Sequence, residues 1–179
     1  MGLTSKQTGV FKGMAAAMLT SILVIVYAMS VDPFNLAQNS QASQRLSILG
    51  LSLILPTLFL IASIGRLAKF RFFSPEDIDG SGLTAGTNEA RVLQSLLQNT
   101  LEQLVIAIGV YSAWCLLMPS AWLSAVPLCS ILFAIGRILF FKSYNQGAAA
   151  RAFGFALTFY STVVMFLVLI GYQLAQWFS

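Results

Sequence analysis

The sequence has 179 residues, of which 58% are hydrophobic and only 9% charged, with a formal net charge of +4. A water-soluble domain carries about 25% charged residues. These few charges cannot cover a solvent-facing surface, and a mean hydropathy of +0.81 marks the chain as an integral membrane protein. The absence of histidine excludes His-based triads, His-ligated haem and His-ligated zinc.

Five apolar runs follow one another: Met14 to Val31, Leu46 to Ile64, Leu101 to Met118, Trp122 to Phe141 and Phe153 to Leu174. Each is close to the roughly 20 residues that cross a bilayer core as a helix. None shows the alternation of a lipid-facing barrel strand. Helices satisfy every backbone group within the segment, so five helices are predicted. Pro56 and Pro127 fall inside two of them, where neighbouring helices can re-satisfy the freed carbonyls. Cys115 and Cys129 lie in apolar runs and read as buried small side chains, not as a disulfide framework. The first run, with lysines before it and Ala28 and Ser30 near its end, also fits a secretory signal. Its length favours a retained helix.

The basic residues report orientation. With a cytoplasmic N-terminus, Lys6 and Lys12, then Arg66, Lys69, Arg71 and Arg91, then Arg137, Lys142 and Arg151 all fall on the cytoplasmic side, and only Arg45 falls opposite. This positive-inside bias fits five spans with the 66–91 segment cytoplasmic. The basic excess therefore reads as topology, and no nucleic-acid partner is expected. Within that segment Asp77, Asp79, Ser81 and Gly82 match the opening of a calcium loop, but Asn88 stands where the bidentate Glu belongs. A hydrated loop ending in a helix cap at Thr87 or Asn88, with Glu89 at the positive end of the helix dipole, is the plainer reading. No metal site is expected.

The third helix should run from near Asn88 to Met118. Along it Arg91, Ser95, Gln98, Asn99 and Glu102 recur at spacings of three and four, with Gln94 at the edge, and form one polar stripe. An unpaired carboxylate costs about 2.5–3.5 kcal/mol at the bilayer centre and less near the interface. Glu102 should therefore face the bundle and pair with Arg137. Two readings of the charges stand side by side. One is a structural ion pair with arginines at helix ends. The other is an anion or polar-ligand site, because Arg66, Lys69, Arg91, Arg137, Tyr144 and Arg151 share the membrane level of the stripe.

Two blocks of residues carry a resemblance. The first is Arg66-Leu67-Ala68-Lys69-Phe70, a polar loop, and Gln98-Asn99-Thr100-Leu101-Glu102. The second is Gly136-Arg137, then Phe140-Phe141-Lys142-Ser143-Tyr144, then Arg151 after a short turn. Together they resemble the MAPEG family, the membrane-associated proteins of eicosanoid and glutathione metabolism. The resemblance covers Leu46 to the C-terminus. It implies an all-α integral membrane protein, with a four-helix MAPEG-like bundle over 46–179 and an additional N-terminal transmembrane helix and loop over 1–45. It further implies a homotrimer that holds glutathione as co-substrate between subunits near the cytoplasmic face. A lipophilic small molecule would arrive from the lipid. By resemblance, Asn99 and Glu102 contact glutathione, with Glu102 accepting from its amino group. Arg137 and Tyr144 line the same site, Arg66 is a basic contact at a helix end, and Arg151 stabilises the thiolate. A free thiol has a pKa of about 8.5, and a guanidinium beside the sulfur lowers it and supplies a nucleophile.

The sequence also departs from the family pattern. Ser95 stands where enzymatic members carry an arginine, Leu97 where a polar residue is common, and Phe140 where some have tyrosine. These departures leave fewer donors for the glutathione carboxylates. A glutathione transferase or peroxidase and a non-catalytic membrane scaffold or lipid-binding protein both remain open from sequence. A transporter finds little support, since the chain has no internal repeat and no paired broken helices.

Overall fold

Backbone that must close its own hydrogen bonds in lipid coils into helices, and the computed structural model, which describes residues 2–178, contains five long ones. They are α1 (Ser5–Val31), α2 (Ala42–Phe72), α3 (Asn88–Leu117), α4 (Ala125–Ser143) and α5 (Ala148–Trp177). Single 3-10 turns at Ser120–Trp122 and Tyr144–Gln146 flank α4. All five segments are long and apolar enough to cross a membrane. The chain is a multi-pass, all-helical integral membrane protein.

Several helices outrun their apolar runs because polar caps extend them. The α1 helix starts at Ser5, where the Thr4 hydroxyl accepts from the Gln7 N–H at 3.2 Å and the Gln7 side chain accepts from the Thr4 N–H at 2.8 Å. This reciprocal box satisfies two otherwise orphaned donors. At the head of α3 it is Thr87 that caps, accepting from the Ala90 N–H at 3.2 Å. Glu89 lies in the first turn, where the helix dipole favours an anion.

Helices α3, α4 and α5 form the centre, α1 packs on α5 and α4, and α2 packs on α3 and α4. The apolar core gathers Tyr111 and Trp114 from α3, Cys129 and Phe133 from α4, and Met165 from α5, all fully buried. Cys115 and Cys129 are both buried and free, as their apolar setting predicts. With little hydrophobic drive between helices in lipid, close backbone approach through small residues sets the contacts. The α4–α5 crossing is at Gly136 and Gly154. A Cβ on Gly154 would lie 2.5 Å from the Phe140 backbone nitrogen, and one on Gly136 would lie 2.9 Å from the Gly154 carbonyl oxygen. Helix α1 docks on α5 in the same manner, since a Cβ on Gly13 would lie 3.1 Å from the Ala152 Cβ.

The connections are pinned by individual side chains. Asp32 ends α1 in the left-handed region at φ 47°. Its carboxylate accepts from the Leu36 and Ala37 N–H groups at 3.0 and 2.8 Å and from the Ser124 hydroxyl. Arg45, the one basic residue assigned to the far side, closes the C-terminal end of α3. It donates to the Cys115 and Met118 carbonyls, both at 2.9 Å, and to the Ser120 hydroxyl at 2.7 Å. In the 73–87 loop, Asp77 is nearly fully buried. It accepts from the Ser74 hydroxyl at 2.6 Å and from the Thr87 N–H and hydroxyl, each at 2.8 Å. The residue that opens the calcium-like run is thus an internal strut of the loop.

Candidate functional site

The polar stripe of α3 turns toward the α4–α5 crossing. That crossing fixes the spacing between Phe140 and Tyr144 on one side and Arg151 and Phe155 on the other. Between them lies a cavity of about 630 Å³. Its polar wall comes from α3, through Gln94, Ser95, Gln98, Asn99 and Glu102. Tyr144 and Arg151 stand opposite, and Phe140 and Phe155 make an aromatic side. Ala148 and Ala152 of α5 and Val10 and Met14 of α1 complete the wall.

The charged groups inside are placed by short contacts. The Arg151 guanidinium carbon lies 4.4 Å from the centre of the Tyr144 ring, a cation–π arrangement that holds the cation at the rim without neutralising it. Tyr144 in turn packs edge-on against Phe140, with ring centres 5.3 Å apart. Glu102 is solvent-exposed in the single chain and accepts from the Gln98 amide at 2.9 Å. It sits about four turns into α3, where exposure to lipid would be costly.

The expected Glu102–Arg137 ion pair does not form; among the described residues Arg137 is held by neutral partners. Its guanidinium, fully buried, donates from Nη1 to the Asn99 carbonyl oxygen at 2.7 Å and from Nε to the Thr158 hydroxyl at 3.2 Å. Nη2 is buried without a hydrogen-bond partner. The Phe140 and Phe133 rings, at 4.7 and 5.8 Å from the guanidinium carbon, supply the remaining stabilisation. The reason is geometric. The close approach of Gly136 and Gly154 sinks Arg137 beneath the stripe, where the shorter Asn99 meets it first. Arg137 therefore reaches the cavity through Asn99, not directly.

Of the residues predicted as ligand contacts, Asn99, Glu102, Tyr144 and Arg151 share the cavity wall. Arg66 does not reach it. Arg66 stacks on Phe141 at 5.6 Å and lines a separate cavity with Lys69 and Glu89. A second, smaller cavity of about 230 Å³ adjoins the first, and Gln94 and Ser95 line both. Arg71 and Arg91 bring two guanidinium groups to it. Arg71 donates to Gln94 at 3.2 Å and to Ser81 at 3.3 Å, while its Nε is buried and unpartnered. Arg91 donates to the Ala85 and Gly86 carbonyls, each at 3.2 Å.

The family model of the MAPEG family matches residues 46–171. The chain belongs to the MAPEG family. No curated protein and no solved structure matches it. In this MAPEG protein α1 precedes the matched segment, yet two of its side chains line the cavity. Sequence reasoning missed Val10 and Met14 as site residues. A signal was present, because Gly9, Gly13, Ala17 and Ser21 recur every four residues, the small-xxx-small spacing of a docked membrane helix. Arg71 was read only as a topology marker, since a helix-end arginine gives no sign of which way it turns.

Proposed function

We propose that this MAPEG protein binds glutathione in the cavity between α3, α4 and α5, and uses it to conjugate or reduce a lipophilic electrophile. One observation carries the reading: Asn99, Glu102, Tyr144 and Arg151, drawn from three segments of the chain, line a single cavity. The donor set suits an extended tripeptide with an ammonium, two carboxylates and a thiol. Glu102 is the acceptor for the ammonium. Asn99, its carbonyl committed to Arg137, offers its amide N–H groups. Arg71 and Arg91 in the adjoining cavity supply the cations for a carboxylate that Ser95 cannot. Arg151 faces the same space and stabilises the thiolate, and a guanidinium suits this because it keeps its charge when partly buried. Phe140, Phe155, Val10 and Met14 form the apolar side, where an electrophile from the bilayer would lie. The carboxylate of Glu102, exposed on an apolar helix, gains cover from a ligand or from a neighbouring subunit. That supports assembly as a homotrimer with the site at the cytoplasmic face.

The test is direct. Glutathione at millimolar concentration should raise the unfolding temperature of the detergent-solubilised protein, as any ligand of the native state does. The protein should also conjugate 1-chloro-2,4-dinitrobenzene, and Arg151→Ala should reduce that rate at least about 100-fold, the usual scale for loss of one electrostatic stabiliser. An unchanged rate in Arg151→Ala would remove Arg151 from the chemistry. A second reading is favoured by Ser95, whose hydroxyl turns back to the Arg91 carbonyl at 2.9 Å and offers no charge to a ligand. On that reading the protein is a non-catalytic membrane scaffold or lipid-binding member. It then shows no stabilisation by glutathione.

A further inference from the structure

Helix α1 lies outside the segment that carries the family pattern, yet it is docked at the site. Gly9 and Gly13 let its backbone settle on α5 at Ala149 and Ala152, with an added Cβ only 2.8 and 3.1 Å from those methyl carbons. Ala149 and Ala152 bracket Arg151 in sequence. The same turn of α5 therefore carries both the cationic end of the cavity and the seat of α1. One turn apart on α1, Val10 and Met14 project into the cavity. They face the polar stripe of α3 across it and extend the apolar surface begun by Phe155.

We propose that the N-terminal half of α1 is the selectivity wall of this cavity, with Val10 and Met14 contacting the apolar part of the bound ligand and setting the length of chain accepted. The inference rests on the glutathione reading for the polar end of the ligand. It adds the identity of the surface that measures the other end. Two features make α1 the measuring element. Its side chains are purely apolar where they meet the cavity, so they discriminate by size and shape. The close backbone seat at Gly9 and Gly13 fixes their distance from Arg151, so a bulkier side chain cannot be relieved by withdrawal of the helix.

The experiment measures dissociation constants of S-methyl-, S-hexyl- and S-decylglutathione for the full-length protein in detergent, with free glutathione as reference. Wild type should bind S-hexyl at least about tenfold tighter than S-methyl, since five further buried methylene groups are worth more than that. Val10→Trp and Met14→Trp should each cut the ratio to about twofold. Met14→Ala, which widens the cavity without adding bulk, should move the preference toward S-decyl. Leu19→Trp, on the exposed side of α1, should leave the whole profile in place. A chain-length profile unchanged in Val10→Trp, Met14→Trp and Met14→Ala overturns the proposal while glutathione binding stands. No binding of any of the four compounds by wild type overturns both readings together. Because the readout is a ratio, a general loss of stability does not imitate the expected result.

Discussion

Arg137 shows how one side chain can organise a site without facing it. Its fork holds Asn99 and Thr158 at once, a geometry that the single ammonium of lysine cannot reproduce. Arg137→Leu leaves the Asn99 carbonyl unpaired, while the Thr158 hydroxyl keeps its bond to the Gly154 carbonyl. The loss costs about 1–3 kcal/mol and should weaken the proposed glutathione binding through a disordered Asn99. Arg137→Lys should recover stability more fully than affinity, and thermal unfolding measured beside glutathione titration separates the two effects. Asp77 acts likewise within the 73–87 loop. The Ser74 hydroxyl holds its carboxyl below the usual carboxylate range, against the opposing effect of burial, with help from the Thr87 N–H and hydroxyl and the Arg71 charge. Because the folded value lies below the unfolded one, its contribution is complete above about pH 4 and fades as pH falls through the folded value. Asp77→Asn should therefore lower the unfolding temperature at pH 7 and remove part of the acid sensitivity. A parallel pH profile in the variant and wild type would show that Asp77 is not a source of the acid sensitivity. At this scale the sequence was only partly legible. Residue types and membrane level were readable, so Asn99 and Glu102 of the stripe could be grouped with Tyr144 and Arg151, but Arg66, Lys69, Arg91 and Arg137 fell into the same group and do not line that cavity. Direction was not, because the Arg137 partner depends on how deeply two glycines let α4 and α5 approach.

Among the elements, the α4–α5 crossing is the most constrained. A Cβ on Gly154 would meet backbone atoms of Phe140, Gly136 and Leu139 at 2.5 to 3.0 Å, and backbone cannot swing aside as a side chain can. Gly154→Ala should therefore cost at least about 1–3 kcal/mol and should also reduce ligand affinity, since Phe140 and Tyr144 ride on the displaced helix. Gly109→Ala is the matched comparison, because open space surrounds that position. It should be neutral or should stabilise by up to about 1 kcal/mol through helix propensity. Equal loss in both variants would point to a general effect of alanine, not to the crossing. Arg45 closes the opposite end of the bundle by covering terminal carbonyls of α3, as a cation near a helix C-terminus should. The helices themselves were legible from hydropathy, and each predicted run coincides with one of them. The extent of α3 was legible too, since its cap at Thr87 and its span from Asn88 to Leu117 agree with the reading of its polar flank. The start of α1 was not, because the Thr4 box carries that helix well past its apolar core.

For the whole molecule, the charges foretell an orientation that can be measured. Cysteines placed at Ile78 and at Gln38 sit on opposite faces, and the native Cys115 and Cys129 are buried, so background labelling should be low. A membrane-impermeant maleimide applied to spheroplasts should label the Gln38→Cys variant and reach Ile78→Cys only after lysis; the reverse pattern would invert the assignment. The architecture also couples distant parts of the chain in time. Helix α1 enters the membrane well before α5, yet α5 is the surface on which it docks. Until α5 has followed, the Gly9–Gly13 face has no seat, and Val10 and Met14 bound no cavity. The cavity is thus complete only after the intervening helices have been inserted, which makes the proposed ligand binding a late event in biogenesis. A chain stalled after α4 would present the stripe of α3 without the guanidinium of Arg151 and without the α5 surface on which α1 docks.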